Sequence, residues 1–120
     1  MDNVFNKFNR DFFKSVKGIT WYDKEGMMEM DDDRRVVFKL DDVGTRDHFV
    51  GYWVRIYTKT NGLIVEKFFR FQFCMDYIHR DTQKYYHLWF SGGKLDWYIS
   101  RPKSHKPMVD MMMDYIDRWK

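Results

Sequence analysis

Apolar residues recur at helical spacing near both ends of the chain and at alternate positions between them. Near the start, Phe5, Phe8, Phe12 and Val16 fall on one side of a helix, with Asp2 placed to cap it and Gly18 to end it. Lys7, Arg10, Lys14 and Lys17 take the opposite side. Near the other end, Pro107 suits a first helical turn. Met108, Met112, Tyr115, Ile116 and Trp119 then form an apolar stripe, with Asp110, Asp114 and Asp117 as an acidic one. The pattern predicts a basic and an acidic helix bracketing the domain, each with a solvated outer face. Side by side, the two stripes would attract by at most about 1 kcal/mol per exposed pair.

Between the helices the period is two. Ile19–Asp23 and Met27–Met30 read as a short hairpin around Lys24-Glu25-Gly26, and Arg35–Leu40 alternates with Val36, Phe38 and Leu40 inward. Phe49–Thr60 and Leu63–Cys74 flank Asn61-Gly62, the pair favoured in a type I′ turn because both central residues need positive φ. A second hairpin, Tyr85–Ser91 to Lys94–Arg101, turns at Gly92-Gly93, and Met75–Gln83 reads as a connector. The expected fold is therefore α+β. It has an antiparallel sheet of about five to seven strands, two tight hairpins at its centre, and N- and C-terminal helices flanking it. Residues 1–120 read as a single domain. The helices are expected on the face carrying Val54, Phe69, Phe71, Leu88 and Trp97.

A two-residue turn fixes which residues share a face. With Thr60 opposite Leu63, one face pairs Ile56–Lys67, Val54–Phe69, Tyr52–Phe71 and Val50–Phe73, and is core apart from the Lys67 ammonium. The other pairs Tyr57–Glu66, Arg55–Phe68, Trp53–Arg70 and Gly51–Gln72, mixing rings with guanidinium groups. In the second hairpin, Tyr86, Leu88 and Phe90 against Leu95, Trp97 and Ile99 form a core face. Its reverse carries Tyr85, His87 and Trp89 against Asp96, Tyr98 and Ser100, with His87 opposite Tyr98. If both hairpins join one sheet, its second side displays Trp53, Arg55, Tyr57, Phe68, Arg70, His87, Trp89 and Tyr98.

Composition adds an origin and removes several classes. Aromatic residues make up 20% of the chain, with nine Met and no alanine, which departs strongly from average usage. Phe, Tyr, Met, Ile and Lys have AT-leaning codons, a bias fitting a short gene of a phage or mobile element. Lys and Arg number 21 against 18 Asp and Glu, so the net charge of +3 favours neither a basic nucleic-acid arm nor an acidic nucleic-acid mimic. The one cysteine, Cys74, has no internal disulfide partner, and no apolar run approaches a membrane span of about 18 residues. The charged start of the chain lacks a secretory core, so the expected location is the cytoplasm, that of the host if the gene is viral.

Chemistry is sparse. His79-Arg80-Asp81 matches part of a kinase catalytic loop, but the asparagine required five residues later is replaced by Tyr86. Ser91-Gly92-Gly93-Lys94 lacks phosphate-loop spacing and reads as a turn. His48, His79, His87 and His105 are scattered. Asp31-Asp32-Asp33 and Asp41-Asp42, flanking one strand, read as solvated loops rather than a metal site. No catalytic residue, metal or cofactor is assigned.

Three readings compete for the Arg/aromatic face. In one, a helix or the Ile19–Met30 region covers it and arginine merely stacks on rings. In the second it docks on a protein, since Trp, Tyr and Arg dominate binding hot spots. In the third it stacks single-stranded nucleic acid. The expectation is a non-catalytic binding protein, a phage- or mobile-element-encoded inhibitor of a host protein. A defence nuclease such as a CRISPR effector, or another nucleic-acid-handling complex, would be such a target. A single-stranded nucleic-acid binder is the alternative, and a carboxylate-dependent nuclease using Asp32 and Asp33 the third. The same sheet would equally serve as a homodimer seam.

Overall fold

The computed structural model describes residues 4–31, 33–41, 51–70, 87–91, 94–99 and 106–120, with 87–91 and 94–99 described by backbone and register. Its elements are α1 (Val4–Phe12), β1 (Thr20–Tyr22), β2 (Glu25–Glu29), β3 (Arg34–Asp41), β4 (Gly51–Thr58), β5 (Leu63–Arg70), β6 (His87–Ser91), β7 (Lys94–Ile99) and α2 (Lys106–Asp117). The fold is α+β: β1 to β5 form an antiparallel five-stranded sheet in chain order, flanked by N- and C-terminal helices.

The hairpins do not share one sheet. β6 and β7 form a separate two-stranded sheet, and β4–β5 lies at the margin of the larger sheet with β3 at its centre. Among the described residues no strand pairs with β5 on its far side, and β7 lies against α1. The expected positions Val50, Phe71, Phe73, Cys74, Tyr85, Tyr86 and Ser100, the connector Met75–Gln83 and the turn Gly92-Gly93 lie outside the described residues.

Both helices pack on one face. Phe8, Phe12 and Phe13 from the N-terminal segment and Met108, Val109, Met112 and Ile116 from α2 are buried against Val36, Phe38, Leu40, Tyr52, Val54, Ile56 and Phe69. Val54 and Phe69 thus lie on the helix-covered face, as expected. Helix α1 ends at Phe12 rather than near Gly18. Neighbouring Phe12 and Phe13 are both buried, and the chain turns out of the helix directly afterwards, with the Val16 N–H donating to the Phe13 carbonyl at 2.8 Å. Lys14 and Lys17 are exposed beyond the helix. Ion pairs run within each terminal segment, Lys7 to Asp11 at 3.9 Å and Lys120 to Asp117 at 3.0 Å.

Among the described residues, Asn9 is the polar side chain fully buried in this core. Asn9 accepts a hydrogen bond from the Tyr52 hydroxyl at its Oδ1 and donates from Nδ2 to the Asp23 carbonyl at 3.3 Å. Asp23 has a φ of 57°, a left-handed conformation that Asp tolerates better than most residues. It places the first turn at Asp23-Lys24, because Tyr22 pairs with Glu25, one residue earlier than the expected Lys24-Glu25-Gly26.

Gly26 is needed within the strand instead. It pairs with Trp21 on one side and Phe38 on the other, and the Trp21 ring lies across it. A Cβ on Gly26 would sit 2.6 Å from Cη2 of Trp21 and closer still to other ring carbons. The ring is held between Phe13 (centroids 5.1 Å) and Phe38 (6.4 Å), so it has little room to yield. Gly26→Ala is expected to destabilise the fold by about 1–3 kcal/mol in urea unfolding. A loss below about 0.5 kcal/mol, the range of a neutral surface change, would show that the indole swings clear.

The β4–β5 turn differs from a two-residue type I′ turn. Asn61 alone has positive φ (71°), and the loop closes with Thr58 N–H donating to the Gly62 carbonyl at 2.8 Å and Asn61 N–H to the Thr58 carbonyl at 3.0 Å. The Thr58 hydroxyl also accepts from Gly62 N–H at 2.9 Å, which stabilises the wider loop. Pairing is therefore Tyr52–Phe69, Val54–Lys67 and Ile56–Val65, with an irregularity between Ile56 and Tyr57. Each partner is two residues away from the expected one. Up to that irregularity the slip is even, which preserves the face that each of these residues occupies.

Candidate interaction face

The side of the sheet opposite the helices is built from register rows. One runs Tyr22, Glu25, Lys39, Trp53, Phe68 and the next Met27, Val37, Arg55, Glu66. A third runs Glu29, Arg35, Tyr57 and a fourth Asp41, Gly51, Arg70. Trp53, Arg55, Tyr57 and Phe68 are half-buried and Arg70 is exposed. Tyr22 is 82% exposed and Met27 42%. The expected Trp53, Arg55, Tyr57, Phe68 and Arg70 therefore share one face that solvent reaches.

Rings and guanidinium groups are locked together. Trp53 packs against Phe68 with centroids 5.0 Å apart, and Arg55 Cζ lies 4.9 Å from the Trp53 ring. Arg55 Nε donates to Glu66 Oε2 at 2.8 Å, so the guanidinium is held from below by the ring and from the side by the carboxylate. These pairs replace the expected Arg55–Phe68 and Trp53–Arg70, the result of the two-residue slip. Being partly exposed, the ion pair contributes at most about 1 kcal/mol, and its main effect is to fix the arginine's direction. Gly51 makes room for the arrangement: a Cβ there would lie 2.9 Å from Phe68 Cζ and 2.6 Å from Arg70 Cα.

A second guanidinium repeats the pattern. Arg35 Cζ sits 5.1 Å from the Tyr57 ring, and Arg35 donates to the Thr58 carbonyl at 3.3 Å and to Asn61 Oδ1. Arg35, Val37 and Lys39 were not among the expected site residues. Their signal was the alternation itself, since Val36, Phe38 and Leu40 pointing inward puts the intervening residues outward.

Charges on this face cancel by row. Lys39 lies beside Glu25, Arg35 beside Glu29 and Arg55 beside Glu66, while Arg70 and Asp41 flank Gly51. At one end a cleft of about 190 Å³ is lined by Glu29, Asp33, Arg34, Arg35 and Lys59. Arg34 donates to Asp31 at 3.1 Å and 2.6 Å and to the Trp119 carbonyl. The hydrogen bond from Arg34, with another from the Asp33 N–H at 2.9 Å, holds the Asp31 carboxyl below its usual range. Asp31 thus serves the turn into β3, while Asp32 and Asp42 lie outside the described residues.

His87, Trp89 and Tyr98 belong to the other sheet. His87 faces Ile99, and Tyr98 faces Leu88, because the register shifts between Trp89 and Phe90. An odd shift changes every pairing beyond it, so the expected His87–Tyr98 pair does not form. Among the described residues no group of three or more His, Cys, Asp or Glu could hold a metal ion. No described helix is long and apolar enough to cross a membrane. No protein-family model, curated protein or solved structure matches the chain.

Proposed function

We propose that this chain is a non-catalytic binding protein that docks on another protein through the Trp53/Arg55/Tyr57/Phe68/Arg70 face. The observation that carries the reading is a solvent-reached face combining oriented Arg and aromatic side chains with balanced charge. Protein hot spots use Trp, Tyr and Arg because they pair large apolar area with directed donors. A strand of nucleic acid instead requires cations to neutralise its phosphates. Here each cationic row also holds a carboxylate, which favours a protein surface of mixed charge. The composition adds the finer proposal: a phage or mobile-element product inhibiting a host protein in the host cytoplasm, with a defence nuclease the first candidate.

The Trp53→Ala/Arg55→Ala double variant is expected to weaken partner binding at least about tenfold. Its circular dichroism and melting curve should stay close to wild type. Pull-down from host lysate, followed by titration of the purified captured protein, measures this. Equal binding by both forms would remove this face from the reading. Salt-sensitive binding to single-stranded oligonucleotides, without a protein partner, would transfer the assignment to nucleic acid.

A further inference from the structure

The geometry points to β5 as a seam between two copies of this chain, paired antiparallel about Phe68. The seam uses the strand's margin, although Phe68 and Arg70 also belong to the proposed docking face and Glu66 holds Arg55 there. β5 is eight residues long, and among the described residues no strand lies beyond it. Leu63 and Ile64 are 50% and 41% exposed, and Glu66, Lys67 and Arg70 are exposed as well. A long marginal strand presents backbone donors and acceptors that a further strand can pair with.

Charge selects the occupant and the register. Joining two sheets with their outer faces on the same side requires a twofold axis normal to the sheet. Each residue then faces one of the same parity. An axis through Glu66 sets Glu66 against itself, and one through Lys67 sets Lys67 against itself, both repulsive. An axis through Val65 sets Leu63 against Lys67 and Ile64 against Glu66, apolar against charged.

An axis through Phe68 sets no like charges against each other and brings opposite charges together. It sets Phe68 against its counterpart, Glu66 against Arg70 of the second copy twice over on the outer face, and Lys67 against Phe69 on the inner face. Lys67 already lies over the Phe69 ring of its own chain at 5.3 Å, so the new contact extends a cation–ring arrangement that is in place.

Sedimentation equilibrium and light scattering from micromolar to high-micromolar concentration should give twice the 14.9 kDa chain mass. Glu66→Arg or Arg70→Glu alone turns two attractive pairs repulsive and should weaken association at least about tenfold. The two together restore the attraction and should recover the dimer. Phe68→Cys in a Cys74→Ser background should form an intermolecular disulfide under mild oxidation. Facing residues in such a ladder have Cα atoms about 4.5–5.5 Å apart, within disulfide reach. Circular dichroism confirms that each variant is folded. A monomeric wild-type mass throughout overturns the proposal, as does a dimer unaffected by the single reversals or not recovered by the double one.

Discussion

Replacing Phe13 by alanine is expected to cost about 3–5 kcal/mol of folding stability, the largest effect of any substitution considered. Phe13 is 2% exposed. Its ring meets four others: Phe12 at 5.0 Å, Phe38 at 4.8 Å, Trp21 at 5.1 Å and Tyr52 at 5.3 Å. Through them it joins the N-terminal segment to β1, β3 and β4 at one point. Large rings rimming the gap cannot collapse into it without leaving their own contacts, so the cavity term adds to the lost transfer free energy. Domains of this kind have only about 5–15 kcal/mol in total. Chemical denaturation should therefore show a much lower midpoint, and a loss below about 2 kcal/mol would mean that the site refills.

The second large effect concerns the buried polar link. Asn9→Leu should cost about 2–3 kcal/mol, because it leaves the Tyr52 hydroxyl, in a fully buried residue, without its acceptor. It also strips the Asp23 carbonyl of the Asn9 amide. Tyr52→Phe should be destabilising as well, by leaving Asn9 Oδ1 unpaired. Combined, the two remove donor and acceptor together, so the double variant should cost less than the summed singles by about 1 kcal/mol or more. Additivity within about 0.5 kcal/mol would show that the two side chains do not act as a unit.

Much of this architecture was legible in the residue pattern because faces depend on parity. The alternation of Val36, Phe38 and Leu40, and of Tyr52, Val54 and Ile56, put these residues inward and their neighbours outward whatever the partner strand did. Trp53, Arg55, Tyr57, Phe68 and Arg70 therefore landed together although the turn was misread. Pairing was not legible to the same degree. Asn61-Gly62 satisfies a type I′ turn, but the Thr58 hydroxyl and the single left-handed residue Asn61 stabilise a wider loop. That competition is decided by a few local hydrogen bonds.

The second hairpin shows the harder failure. One register shift between Trp89 and Phe90 is odd, so it undid the His87–Tyr98 pairing that an even slip would have spared. Phe13 was missed for another reason. It follows Phe12 and so falls outside the helical stripe of Phe5, Phe8 and Phe12, and only the chain's exit from the helix carries it into the core. Asn9 carries no apolar signal. Its burial depends on Tyr52, which is distant in sequence.

The unequal ends of the sheet set a limit on assembly. Once two copies join along β5, the outermost strands of the resulting ribbon are both β1, which spans three residues, Thr20–Tyr22. So brief a strand offers too few backbone groups to recruit a third molecule with comparable strength. Extension of that ribbon by strand addition at its β1 ends would therefore be weak.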